Sequence, residues 1–134
     1  MDSLLLDTNV FLRFLLDDIT GQSKAAADIF TKAKLKKLDV FVPQIVIFEI
    51  FFALEKYYKF PKDQVIDKVG TLLETPYLHI QDKTIFQEAL ELFKKGSIDF
   101  VDCFLICQSK AKGSTLFTFD KNLQKLLLNL KKLN

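Results

Sequence analysis

Five carboxylates stand where bland surface structure would not put them. Asp7 ends the apolar run Leu4-Leu5-Leu6, and Asp120 ends a second run, Leu116-Phe117-Thr118-Phe119. Glu49 is the only charged residue from Ile45 to Leu54. Asp99 and Asp102 lie three residues apart, with Ile98, Leu105 and Ile106 around the second. Residues three or four apart share a helix face, so Glu49 is expected among Ile45, Val46, Phe52 and Ala53, and Asp99 beside Asp102. An unpaired carboxylate on a buried apolar face costs on the order of several kcal/mol and calls for a cation or a proton. Acids in this number suit Mg²⁺ or Mn²⁺, hard ions that take oxygen ligands and keep several waters. One such ion, or two about 4 Å apart, activates a water and steadies charge on a phosphoryl group. Structural readings compete. Asp7, Asp99 and Asp120 could each cap a helix, and Glu49 could pair with a distant lysine. Asp102 lies inside the helix expected over Ile98 to Lys112 and has no such escape.

Nothing else in the chain offers a rival catalyst. There is no phosphate-binding glycine loop and no nucleophile elbow. His79 is the single histidine, and with Cys103 and Cys107 it is too little to fill a four-ligand zinc site without carboxylate help. The two cysteines, four apart on one helix, read as small core residues, and His79 lies in a short apolar strand.

These acids need elements to position them. Ser3 to Leu6 reads as a buried strand running into a helix start at Asp7-Thr8-Asn9, with a short helix over Val10 to Leu16 that carries Arg13. An amphipathic helix is expected over Ser23 to Lys37 and a strand over Val40 to Val42. Pro43 opens a helix to about Tyr58, and Pro61 another to about Glu74. Tyr77 to Ile80 reads as a strand, and Lys83 to Lys95 as a helix closed by Gly96. After the helix closed by Gly113, Leu116 to Phe119 reads as a fourth strand, and a last helix places Leu123, Leu126, Leu127 and Leu130 on one face. Strands alternating with helices imply right-handed crossovers and a parallel sheet, hence an α/β fold.

The 134 residues are one domain's length, read as a single domain over 1–134. Apolar residues at 49% and charged residues at 27% are ordinary for a globular chain. Two cysteines exclude a disulfide-dense scaffold. The opening MDSLLLD lacks the order of a signal peptide, and no apolar run reaches the roughly 20 residues of a membrane span. The expected setting is the cytoplasm, with no membrane partner. The net charge is +2, but setting the five acids aside leaves 19 basic residues against 12 acidic ones. An acidic pocket inside a lysine-rich exterior suits a polyanion that must be attracted and cut, although lysines kept for solubility would look the same.

The segments Leu4-Leu5-Leu6-Asp7-Thr8-Asn9, Glu49 on its proline-led helix, Asp99-Phe100-Val101-Asp102 and Thr118-Phe119-Asp120-Lys121 together resemble the PIN-domain nucleases. The resemblance runs from residue 3 to about 123. Size and the Arg13 helix resemble the VapC-type toxins within that family. It implies a three-layer α/β/α sandwich around a mostly parallel sheet and Mg²⁺- or Mn²⁺-dependent cleavage of RNA. It also implies a homodimer inhibited by a cognate antitoxin. Carried over by position, Asp7, Glu49, Asp102 and Asp120 would form the acidic catalytic and metal site, with Asp99 secondary. Thr8, Asn9 and Thr118 would bond the carboxylates or waters, and Arg13 and Lys121 would meet the substrate. Water activated at the metal would attack the phosphodiester in line, leaving a 5′-phosphate and a 3′-hydroxyl. Phe104 departs from the small or aliphatic residue usual there. Two other readings compete: a nucleic-acid-binding or regulatory module of this fold without turnover, and a phospho-acceptor receiver domain. The second fits poorly, since the first strand ends in a single Asp.

Overall fold

Asp7 starts the first helix by geometry that its side chain dictates. Its backbone is extended (φ −79°, ψ 170°) and its carboxylate accepts from the Val10 amide at 3.3 Å. The computed structural model describes residues 2–133. The chain packs as two compact units, Met1–Lys83 and Thr84–Asn134.

The first unit holds the sheet. Strands β1 (Asp2–Leu5), β2 (Leu38–Val42) and β3 (Leu78–Ile80) run parallel in the order β1-β2-β3. The register sets Leu5 against Phe41 and Phe41 against His79. Parallel neighbours require long crossovers. Helices α1 (Thr8–Leu16) and α2 (Thr20–Lys34) supply the first, and α3 (Gln44–Phe52), a π-helical turn (Ala53–Tyr57) and α4 (Lys62–Leu73) the second. Alternation along β2 buries Val40 and Val42 and turns Phe41 the other way, where it stacks on His79 at 4.7 Å. Asp39, two residues before Phe41, meets His79 Nε2 at 3.2 Å. The core draws Phe11 and Phe30, edge to face at 5.6 Å, and Ile47, Ile50, Phe51 and Leu54 from α3 and the turn after it.

The expected helix from Pro43 to Tyr58 is thus an α-helix that widens into a π-helical turn. Pro43 and Pro61 are N-caps of α3 and α4.

The second unit holds α5 (Lys83–Lys95, whose first residue lies in the first unit), α6 (Phe100–Ala111) and α7 (Lys121–Leu133). Phe86, Phe93, Phe100 and Phe104 are buried aromatics here. The unusual Phe104 is accommodated against Phe86, with ring centroids 4.6 Å apart. Cys103 and Cys107 are buried and not disulfide-bonded, as core thiols should be, and burial pushes the Cys107 thiol up to about 11. The stripe Leu123, Leu126, Leu127 and Leu130 is the drier side of α7, while Leu128 is exposed.

The expected fourth strand is absent among the described residues. Leu116 to Phe119 is an irregular segment with Phe117 and Phe119 exposed. Its polar groups are used locally rather than in a ladder: the Thr118 hydroxyl accepts from the Asp120 amide at 3.1 Å, and the Thr118 carbonyl accepts from Gln124 Nε2 at 2.8 Å. Such side-chain competition for backbone groups is what disfavours strand pairing. Among the described residues no helix is long and apolar enough to cross a membrane.

Two outcomes follow from this packing. Phe11→Ala should cost about 3–5 kcal/mol in denaturant titration, since it empties a fully buried aromatic site. Thiol reagents should label Cys103 and Cys107 slowly at neutral pH and fast once denaturant opens the chain.

Candidate functional site

In the first unit the carboxyl ends of the strands carry the polar groups. Leu6 and Asp7 follow β1, Pro43 and Gln44 follow β2, and Gln81 and Asp82 follow β3. Three hydrogen bonds tie the last two ends together. The Gln44 amide donates to Gln81 Oε1 at 2.8 Å, Gln44 Nε2 donates to Asp82 Oδ2 at 2.8 Å, and the Gln81 amide donates to the Val42 carbonyl at 3.0 Å. In open parallel sheets this is the edge at which ligands bind.

Helix α3 rises from that edge and returns Glu49 to the start of α1. The Thr8 hydroxyl donates to Glu49 Oε2 at 2.9 Å, across 41 residues of sequence. Thr8 therefore bonds a carboxylate, as expected of it. Asp7, beside it, caps α1 through Oδ1 alone, so its other oxygen is not committed to the cap. Asn9 is exposed in the first turn. The environment of Glu49 differs from expectation. The core takes Val46, Ile47, Ile50 and Phe51 from α3, and Glu49 lies exposed on the opposite side with Ile45 and Phe52. The helix is apolar all round, so composition could not say which stripe the core would claim. Glu49 is held by a hydroxyl in water, not stranded in an apolar face.

Arg13 points the other way along α1. Its guanidinium donates to the Tyr58 hydroxyl at 2.6 Å and pairs with Asp18 at 3.3 Å, while its Nε is buried without a hydrogen-bond partner. Helix α1 is thereby tied to α3 by Thr8–Glu49 and to the residue that closes the π-helical turn by Arg13–Tyr58. Sequence reasoning missed Tyr58. The available signal was a tyrosine pair closing an otherwise apolar helix, since buried tyrosine hydroxyls seek partners.

The second unit gathers three acids. Asp99 sits at the N-cap of α6, with no side-chain capping bond. Asp102 is in the first helical turn and not deep inside the helix, because α6 starts at Phe100, two residues later than expected. Its carboxyl is pushed above the usual carboxylate range, first by burial, then by the charges of Asp99 and Asp120. Asp120 caps α7: Oδ1 accepts from the Leu123 amide at 2.9 Å. Thr118 braces it through the backbone. Lys121 is exposed at the first position of α7, where a cation opposes the helix dipole.

The capping reading and the ligand reading thus coexist for Asp7 and Asp120, each of which uses one oxygen as a cap. Among the described residues no group of three or more Asp, Glu, His or Cys side chains converges tightly enough to hold a metal ion. The donors are nonetheless of the type a hard divalent ion takes, all oxygens. The mutual repulsion felt by Asp102 is what such an ion relieves.

The chain was compared with known proteins. The PIN-domain family model matches residues 4–126. A VapC ribonuclease from Aquifex aeolicus (strain VF5) is 30% identical over 126 residues, covering 91% of this chain and 90% of its own.

Because folding raises the Asp102 pKa, the ionised carboxylate disfavours the folded state at neutral pH, and protonation on acidification removes that penalty. Asp102→Asn should therefore raise the melting temperature of the metal-free protein at pH 7. The gain should shrink as the pH falls through the range where Asp102 takes up its proton. Thermal melts of both proteins across that range check the sign.

Proposed function

Since the chain belongs to the PIN-domain family, we propose that it is a divalent-metal-dependent endoribonuclease, the toxin of a toxin–antitoxin pair. The observation that carries this reading is the presence of the acids Asp7, Glu49, Asp102 and Asp120 within a family match that spans both units. That span also supports taking residues 1–134 as one PIN-like domain. The likeness to a VapC ribonuclease supports RNA as substrate and a cognate antitoxin as partner; the working form in this proposal is a homodimer.

In this reading Asp7, Glu49, Asp102 and Asp120 would hold Mg²⁺ or Mn²⁺, with Asp99 adding charge beside Asp102. Such an ion would supply positive charge to offset the carboxylates and the phosphoryl oxygens of the substrate. The chain's own residues prepare the acids for that task. Thr8 fixes the Glu49 carboxylate by a hydrogen bond. The N-cap bonds of Asp7 and Asp120 fix one oxygen each and so orient the other. Thr118 orders the backbone that presents Asp120. Lys121 supplies positive charge for the RNA backbone, and its position against its own helix dipole supports a role outside local stability. Arg13, already bonded to Tyr58 and paired with Asp18, would meet the substrate through the tyrosine it holds.

The test is cleavage of a mixed structured-RNA pool with Mg²⁺, Mn²⁺ or EDTA. Metal-dependent products are expected. Asp7→Asn and Asp102→Asn should each lower the rate by about 100-fold or more while the protein stays folded. Thr8→Val should lower it about 10–100-fold, as loss of a residue that orients a metal ligand does. Undiminished cleavage in both Asp variants would overturn the reading. RNA binding insensitive to chelator, with no products under either ion, would instead identify a binding module.

A further inference from the structure

The first unit contains a polar cavity of about 650 Å³, walled by α1, α2 and the π-helical turn. Its lining includes Asn9, Leu12, Arg13, Gln22, Tyr57 and Tyr58. That volume is within the range of small-molecule sites and ample for one nucleotide unit. Tyr57 is 78% exposed and meets Tyr58 edge to face, with centroids 4.9 Å apart at 81°. The widened turn places a large aromatic side chain in water at the rim of a cavity, where burial gives no reason for it. Asn9 and Gln22 are exposed, and each amide carries two donors and an acceptor.

From this lining we infer that the cavity is a subsite for one unpaired nucleobase of single-stranded RNA, with Tyr57 as its stacking platform and Gln22 and Asn9 reading its edge. This inference takes its ligand class from the nuclease reading. The chemistry of the walls decides among occupants. A phosphate would want several free cations, but the single guanidinium here already bonds Tyr58 and pairs with Asp18. An apolar helix would want a greasy groove, but four of the six residues named carry polar groups besides the arginine. A flat heteroaromatic with a hydrogen-bonding rim matches both the ring and the amides. Continuity with the acids favours it too, because Asn9 lies two residues after Asp7 on the same helix start. Arg13 is a positioning residue in this scheme. It holds Tyr58, against which Tyr57 rests.

The experiment measures binding of fluorescently labelled single-stranded RNA decamers to the full chain in EDTA, where turnover cannot interfere. Homopolymers of each of the four bases are used beside a random sequence. Tyr57→Ala should weaken binding of the random decamer about tenfold or more, and Tyr57→Phe should keep it within about twofold. Gln22→Ala should change the ranking of the four homopolymers. Circular dichroism melts confirm that an exposed residue was removed without unfolding. Equal affinity of Tyr57→Ala and parent would overturn the subsite. If the parent cleaves RNA while Tyr57→Ala binds and cleaves like it, the subsite fails and the nuclease reading stands. Tyr57-dependent binding by a parent that cuts nothing under Mg²⁺ or Mn²⁺ supports the subsite and defeats the nuclease reading. A parent that neither binds nor cuts RNA defeats both.

Discussion

The parallel register of the sheet is the constraint from which the candidate chemistry descends. With β2 paired on both sides in the same direction, the carboxyl ends of three strands lie along one edge. Each strand must then return through helices, and the first helix after each strand starts at that edge. Asp7 is there because β1 ends there. Gln44 is there because β2 does, and α3 begins at once. The distance in sequence between Thr8 and Glu49 is a measure of what that geometry accomplishes: one crossover and one strand bring a hydroxyl and a carboxylate into hydrogen bonding.

The acids are held economically. Asp7 and Asp120 each perform a structural task that any helix start needs and are oriented by doing it. A site assembled from capping residues ties its geometry to the integrity of the helices behind it. Asp102 shows the opposite balance. Its position among Asp99, Asp120 and partial burial is unfavourable to folding. The two patterns differ in sequence too: Asp7 and Asp120 close apolar runs, whereas Asp102 sits among Ile98, Leu105 and Ile106.

Local punctuation was the most legible part of the chain. The helix over Lys83–Lys95 is found as read, between the left-handed Asp82 (φ 57°) and Gly96. The first three strands were legible as short apolar runs beside Asp, Pro or a turn. The failures came where local signals had to be weighed against packing. Leu116 to Phe119 is a short, mostly apolar run as a buried strand would be, yet Thr118 and Gln124 take its polar groups. Helix α3 is apolar on every side, so the exposure of Glu49 was decided by which stripe the core accepted. The Arg13–Tyr58 bond joins residues 45 apart, and the tyrosine pair marks one partner in the sequence without pointing to the other.

The π-helical turn carries a consequence for the history of the chain. Such a turn accommodates one more residue than an α-helical one, and the helix absorbs the surplus without breaking. Removing a single residue from Ala53–Tyr57 would let the ordinary winding resume, and everything beyond would stay nearly in phase about the axis, since the wide turn and an α-helical turn one residue shorter sweep almost the same angle. The surplus residue is therefore separable from the scaffold: the helix could lose the bulge and still deliver the chain toward α4. What would go with it is the local widening that sets Tyr57 out in water.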